Sequence, residues 1–298
     1  MLRSSSRLPL LALLALCVAL LVPAGASAAI GPLSSFGGFG EAAGQLRAPQ
    51  GLAIGSESEV YVADEDNNRI DVFSAAGTFV RAFGKDVGGA GIDVCTSFCQ
   101  AGEFGIGTAG ALYEPVDVAL DGSGRVYVAD PQNSRIDVFT TAGAFLFAFG
   151  KDVKLGGGNR CDAGTGCQSG AFESGAGAFG ELEGIGIGGG RLYAADADNN
   201  RVAVYDLEGK FQFAFGRNVG GAGVHTCTSV CQAGSAEGKA AIDNPTDVAV
   251  SPDGNLYVTF NGGTSGVKIF TAAGVDGVEF GDEGPGFVDG PTAVAIGP

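Results

Sequence analysis

One segment of this chain recurs four times. It begins at Pro49, Pro115, Glu181 and Pro245, at intervals of 66, 66 and 64 residues. A period this regular marks a repeat architecture, in which a unit too small to bury its own faces stacks against copies of itself. The first copy runs through GLAIG, VYVAD, NNRIDVF and AAGTFVRAFG to Gly84. The second runs through VDVAL, RVYVAD, NSRIDVF and TAGAFLFAFG to Gly150. The third runs through GIGIG, RLYAAD, NNRVAVY and LEGKFQFAFG to Gly216. The fourth runs through TDVAV, NLYVTF, GVKIF and TAAGVDGVEFG to Gly281.

Each copy holds four short apolar runs rich in Val, Ile, Tyr and Phe. In RIDVF, Ile70 and Val72 alternate with Asp71, the period-2 pattern of a strand. Asp121-Gly122-Ser123-Gly124 and Pro252-Asp253-Gly254-Asn255 form turns between the first and second runs. Gly77, Gly143, Gly209 and Gly274 form turns between the third and fourth. Four antiparallel strands per unit, repeated about an axis, give an all-β propeller. Gly is abundant (53 residues) without a three-residue period, which excludes collagen.

The pattern Pro, short strand, VYVAD, N-x-R-I-x-V-F, G-x-F-x-x-x-F-G resembles the NHL repeat, in register across all four copies and over nearly all of residues 35–298. The resemblance implies a propeller, commonly six-bladed, used mostly to bind proteins. Some animal members bind RNA, and some bacterial members form the extracellular sensor of a kinase. Related propellers include the amidating lyase and lactonases. Ubiquitin-ligase activity in some members resides in a separate zinc-binding domain and is not transferred to this chain. The family's Asp-x-x-Asn-x-Arg signature matches Asp64, Asn67 and Arg69, then Asp130, Asn133 and Arg135, then Asp196, Asn199 and Arg201. Identical placement in three copies points to a structural device, in which Asp and Asn cap a turn and Arg ties it to a neighbour. A catalytic site would draw different residues from different blades. In the fourth copy Phe260 and Gly266 replace the Asp and Arg, and that blade is expected to be looser or to have a different neighbour.

These repeats are some 20 residues longer than the usual blade of about 40–45 residues. The excess lies in Gly-rich insertions at 85–114, 151–180 and 217–244, each carrying one cysteine pair. Loops grafted on a rigid scaffold are where binding surfaces arise. Three disulfides are expected, Cys95–Cys99, Cys161–Cys167 and Cys227–Cys231, one within each insertion. The competing zinc reading has one histidine to work with, His225.

Residues 1–28 read as a signal peptide: Arg3 and Arg7, an apolar run from Leu8 to Val22, then Ala26-Ser27-Ala28, with cleavage after Ala28 or, alternatively, Ala29. The apolar run is shorter than the roughly 20 residues that span a bilayer. Leu16 before Cys17 argues against a lipoprotein. Residues 29–298 form the propeller, and the expected protein is a secreted or cell-surface bacterial member of the family. Without Arg3 and Arg7, 15 basic residues face 33 acidic ones, a net charge of −18. Such a surface repels nucleic acids and anionic lipid, so neither RNA binding nor membrane insertion of the mature chain is expected.

No G-x-S-x-G elbow occurs, and one histidine cannot build a multi-histidine metal centre. Asp64-Glu65-Asp66-Asn67-Asn68 lacks the spacing of a calcium loop. In the first strands only Asp117 and Asp247 are acidic, with Ala53 and Gly186 read at the matching positions. The expectation is a non-enzymatic scaffold with no cofactor, binding a protein or other extracellular ligand through the cysteine-bearing loops. The alternative is a calcium-dependent hydrolase of the lactonase or esterase kind. Finally, Ser35-Phe36-Gly37-Gly38-Phe39-Gly40 resembles the close of a repeat, and the partial copy 291–298 resembles the start of one. An incomplete ring, cut from a longer protein, is expected, with a four-bladed closed ring or an assembly completed by another chain as alternatives.

Overall fold

The computed structural model describes residues 35–238, 240–263, 265–280 and 290–296. The leader expected over residues 1–28 lies outside them. Four antiparallel sheets follow one another along the chain. Blade 1 is built from Pro49–Ile54, Val60–Asp64, Arg69–Phe73 and Phe79–Phe83. Blade 2 is built from Asp117–Leu120, Arg125–Asp130, Arg135–Thr140 and Phe145–Phe149. Blade 3 is built from Leu182–Gly188, Arg191–Asp196, Arg201–Asp206 and Phe211–Phe215. Blade 4 is built from Pro245–Val250, Leu256–Asn261, Ser265–Phe270 and Asp276–Phe280. The first strands of successive blades pack against each other around the axis. The protein is a β-propeller with four complete blades among the described residues, where the resemblance implied a commonly six-bladed ring.

Alternation along the strands explains the stacking. Ala53, Tyr61, Ile70 and Val72 of blade 1 meet Val118, Val126, Val128 and Phe139 of blade 2 in one apolar cluster. Ala119, Tyr127, Ile136 and Val138 of blade 2 meet Ile185, Leu192, Ala203 and Tyr205 of blade 3 in a second. Tyr193, Val202 and Val204 of blade 3 meet Val248, Val258 and Phe270 of blade 4 in a third. Both faces of the middle blades are dry, so the driving force for order is burial between sheets rather than within one.

Aromatic rings lock the outer halves of the blades together. Phe83 packs on Phe139 with ring centroids 5.1 Å apart, Phe149 on Tyr205 at 5.1 Å, and Phe215 on Phe270 at 5.0 Å. In each pair the first ring also lies against the glycine of the next blade's third turn. A Cβ on Gly143 would sit 2.6 Å from Phe83, one on Gly209 2.5 Å from Phe149, and one on Gly274 2.4 Å from Phe215. These turns therefore need glycine twice, for positive φ and for the approaching ring.

The two ends of the described chain continue the same pattern. Phe36 packs on Phe73 at 4.7 Å and lies 2.8 Å from where a Gly77 Cβ would be. It thus occupies, against blade 1, the place that Phe83 holds against blade 2. Beyond blade 4, Val294 N–H donates to the Asp247 carboxylate at 2.8 Å. Ile185 N–H of blade 3 donates to Asp117 of blade 2 in the same way, at 2.7 Å. Residues 291–296 accordingly stand where the first strand of a following blade would stand.

The insertions do more than loop out. Each returns to its own blade and adds a fifth, two-residue strand at the outer edge: Val94–Cys95, Arg160–Cys161 and Thr226–Cys227. Helix among the described residues is confined to two three-residue turns, Glu65–Asn67 and Pro131–Asn133.

Candidate functional site

The repeat signature lies at the junction between each blade and the loop arriving from the preceding one. Asp64, Asn67 and Arg69 are fully buried, as are Asp130, Asn133 and Arg135. Arg69 donates to Glu41, Ala42 and Gln45 carbonyls. Arg135 donates to those of Thr108 and Ala111, and Arg201 to those of Ser174, Gly175 and Ala178. The aspartates accept backbone N–H groups of the same loops, from Arg47, Tyr113 and Gly180. The asparagine amides reach Gly40, Gly105 and Glu173 carbonyls. Each cluster bonds the backbone of the loop beside it.

Blades 1 and 2 place a second carboxylate on the same guanidinium. Arg69 Nε donates to Asp71 at 2.7 Å and lies 3.5 Å from Asp64. Arg135 Nε pairs likewise with Asp137 at 2.6 Å and with Asp130 at 3.5 Å. Two buried carboxylates thus share one buried cation. Burial pushes Asp71 up to about 8, against the pull of Arg69. Burial also raises Asp130, with the neighbouring Asp137 charge adding to it. In blade 3, Ala203 takes the second carboxylate's position and Arg201 pairs with Asp196 alone, at 2.8 Å.

Blade 4 lacks both signature residues yet is tied down. Lys268, on the position of Asp71 and Asp137, is 5% exposed and donates through Nζ to the Ala241 carbonyl. Its ammonium stands 4.7 Å from the Phe260 ring, the residue that replaced the aspartate. The fourth copy, expected to be looser or to have a different neighbour, carries a lysine two residues further along the strand that supplies a cation to the equivalent carbonyl.

At the axis, the pairing register puts Gly51 and Gly184, rather than Ala53 and Gly186, level with Asp117 and Asp247. Asp117 pairs with Ala129 and Asp247 with Thr259, as Gly184 does with Ala195. Gly51 stands two residues after Pro49, as the aspartates stand after Pro115 and Pro245, whereas an irregularity after Leu182 displaces Gly184 by one residue and hides its equivalence in the sequence. The alternation has a steric reason. A Cβ on Gly51 would meet the Asp117 carboxylate at 2.1 Å, and one on Gly184 would meet that of Asp247 at 2.7 Å.

Asp117 and Asp247 line a cavity of about 270 Å³ with Glu183, Asn244 and Asn261. Burial, reinforced by the charge of Asp247, pushes Asp117 up to about 8. Burial raises Asp247 too. Each carboxylate accepts two backbone N–H groups: Asp117 those of Val118 and Ile185, and Asp247 those of Val248 and Val294. The pair stitches first strands together across blades. Among the described residues no group of three or more His, Cys, Asp or Glu side chains is disposed to hold a metal ion.

The insertions share one pattern of bonds. Val87, Val153 and Val219 are fully buried beneath them. The Gln100, Gln168 and Gln232 N–H groups bond the carbonyls of those valines at 2.9, 2.7 and 2.9 Å. Their side-chain amides reach Asp86, Asp152 and Asn218 carbonyls. Gly102, Gly170 and Gly234 N–H groups then dock on the carbonyls of the signature asparagines Asn67, Asn133 and Asn199. Disulfides close the tips: Cys95–Cys99 and Cys227–Cys231 at 2.05 Å, and Cys161–Cys167 at 2.12 Å. The zinc reading of these sulfurs falls with that bonding. His225 instead braces its own loop. Its Nδ1 accepts Asn218 N–H at 3.1 Å, as Asp93 and Asn159 side chains accept Asp86 and Asp152 N–H.

The disulfide-closed tips present apolar side chains to solvent. Phe98 is 90% exposed and Val230, at the same place in the third insertion, 82%. Ile92 and its counterpart Val224 are about half exposed. The middle tip differs: Asp162 caps its own turn through Gly164 and Thr165 N–H. Arg160 lies over Phe147, 3.9 Å from the ring centroid.

Residues 46–73 match the model of the NHL repeat. The chain is a β-propeller whose first blade carries an NHL repeat. Protein brain tumor of Drosophila melanogaster is 29% identical over 141 residues, 39% of this chain and 14% of that protein. The E3 ubiquitin-protein ligase TRIM71 of Gallus gallus is 46% identical over 48 residues, 16% of this chain and 6% of the ligase. The matches thus span a small part of these relatives. Among solved structures, virginiamycin B lyase from Staphylococcus aureus aligns with 85% of this chain and 59% of its own at 12% identity and a TM-score of 0.46.

Proposed function

We propose that this NHL propeller is an exported, non-enzymatic scaffold that binds a protein partner through the tips of its disulfide-bearing insertions. One observation carries the reading: two insertions hold a large apolar side chain almost wholly in water, Phe98 and Val230, at matching positions on disulfide-closed tips. Folding gains nothing from that exposure. A partner that covers both would gain about 2 kcal/mol per side chain, with little ordering cost because the loops are already pinned.

Three disulfides support an oxidising, extracellular setting. No helix among the described residues is long and apolar enough to cross a membrane. A net charge of −16 disfavours nucleic acid as partner. Among the described residues no group of three or more His, Cys, Asp or Glu side chains is disposed to hold the calcium that the hydrolase reading requires.

The test is capture from the cell envelope of the source organism, with wild type and the Phe98→Ser/Val230→Ser double variant compared at equal melting temperature. A captured protein that the variant loses supports the reading. An identical capture by both proteins, or turnover of ester or lactone substrates with bound calcium, would overturn it.

A further inference from the structure

Phenylalanine stands in water at one place beside three successive blades. Phe39, Phe104 and Phe172 each precede the carbonyl that a signature asparagine bonds, that of Gly40, Gly105 or Glu173. They are 84%, 63% and 63% exposed. Further along the same loops, Arg47, Tyr113 and Gly180 also occupy one position, since each gives its N–H to a signature aspartate.

What accompanies the phenylalanine therefore differs from blade to blade. Beside blade 1 it is a cation: the Arg47 guanidinium stands 5.9 Å from the Phe39 ring centroid and 3.8 Å from the Asp66 carboxylate. Beside blade 2 it is a second ring: Tyr113 meets Phe104 with centroids 5.6 Å apart and planes inclined at 49°. Beside blade 3, Gly180 brings no side chain.

The two rings of blade 2 line a cavity of about 220 Å³ together with Asp66, Asn68 and Glu114. Asn68 Oδ1 accepts the Glu114 N–H at 2.9 Å and joins the turn of blade 1 to the loop of blade 2. Among the described residues Asp66 pairs with Arg47, and Glu114 has no ion pair. Aromatic faces carry negative partial charge, so two rings and two carboxylates on an acidic protein attract a cation. A strongly hydrated ion gives up too much water to settle on rings. A quaternary ammonium, weakly hydrated and with its charge spread over methyl groups, suits them.

We infer that this cavity binds a quaternary ammonium group of the choline type against the Phe104 and Tyr113 rings, with Asp66 and Glu114 balancing its charge. Blade 1 makes the equivalent contact with its own Arg47, and blade 3 lacks the second ring, so the site belongs to the junction of blades 1 and 2. Neither Phe98 nor Val230 takes part, and the site does not depend on what the insertion tips bind.

The test titrates the whole chain with choline chloride at constant ionic strength, read by calorimetry and by the ring-proton shifts of Phe104 and Tyr113. The control is the neutral alcohol in which carbon replaces the nitrogen of choline. The expected result is one site with a dissociation constant of roughly 1 mM, and binding of the alcohol about fivefold weaker or less. Phe104→Leu, at an exposed position, keeps apolar bulk and weakens choline binding about fivefold. Tyr113→Arg installs the blade 1 arrangement and removes binding at an unchanged melting temperature. Co-sedimentation with phosphatidylcholine vesicles that Tyr113→Arg loses assigns the group to a lipid headgroup, and choline binding without sedimentation assigns it to a free solute. Absence of saturable choline binding overturns the inference. Equal binding of the neutral alcohol, or choline binding unchanged in both variants, overturns it too.

Discussion

Lys268 in blade 4 bonds the Ala241 carbonyl, as Arg135 in blade 2 bonds that of Ala111. The two cations arise from different strand positions and reach the same point of the incoming loop. What the fold conserves from blade to blade is thus a buried donor for that carbonyl, not a particular residue at a particular register.

Lys268→Ala removes that donor and leaves a buried carbonyl without its partner. The expected cost is about 1–3 kcal/mol, read by chemical denaturation. Exchange of amides in blade 4 quickens first, since the blade loses its tie to the third insertion. A melting curve unchanged from wild type would show that the bond contributes nothing.

Arg135→Ala strands two buried carboxylates, Asp130 and Asp137, without a cation. A loss of about 3–5 kcal/mol is expected. Adding Asp137→Asn removes one of the stranded charges and restores part of the loss, measured as coupling in a double-mutant cycle. Arg201→Ala, which strands only Asp196, has no corresponding rescue at Ala203.

Stability falls as pH rises from about 5 to 8. The folded state holds the Asp71 proton up to about 8, whereas the unfolded chain releases it near 3.8. Between those values the unfolded state binds fewer protons, so raising the pH favours unfolding, by at most roughly 1.4 kcal/mol per unit for each such group. Asp117, also pushed up to about 8, acts in the same direction. Asp71→Asn removes one contribution and flattens the profile. Denaturation midpoints across this range, wild type against Asp71→Asn, check the sign.

Reduction of the disulfides lowers stability modestly and leaves the blades folded. The bridged cysteines are four, six and four residues apart. Rings this small contribute at most about 2 kcal/mol each, and their effect stays local to the insertion tips, while the buried valine and glutamine clamps persist. Far-ultraviolet circular dichroism before and after reduction, with peptide mapping of the oxidised form, is the measurement. Global unfolding on reduction would contradict it.

Much of this molecule is legible in its residues, because a repeat declares its strands by period-2 alternation and its turns by glycine, and four copies in register confirm each other. The cysteine pairing is legible for the same reason, each insertion carrying its own pair. The likeness of residues 35–40 to the close of a repeat is legible too, but Phe36-Gly37 and Phe39-Gly40 fit it equally, and packing on Phe73 selects Phe36. Tertiary structure alone decided the rest. The bulge after Leu182 moves Gly184 to the level of the axial aspartates, a shift that depends on strand pairing rather than on any residue. Lys268 reads as an ordinary strand lysine until the loop carrying Ala241 is folded over it. Leu52 and Val118 occupy the same place in the repeat, yet one is bare and the other dry. Burial belongs to whatever lies across the interface, and alternation along one strand specifies which way a side chain points, not what it meets.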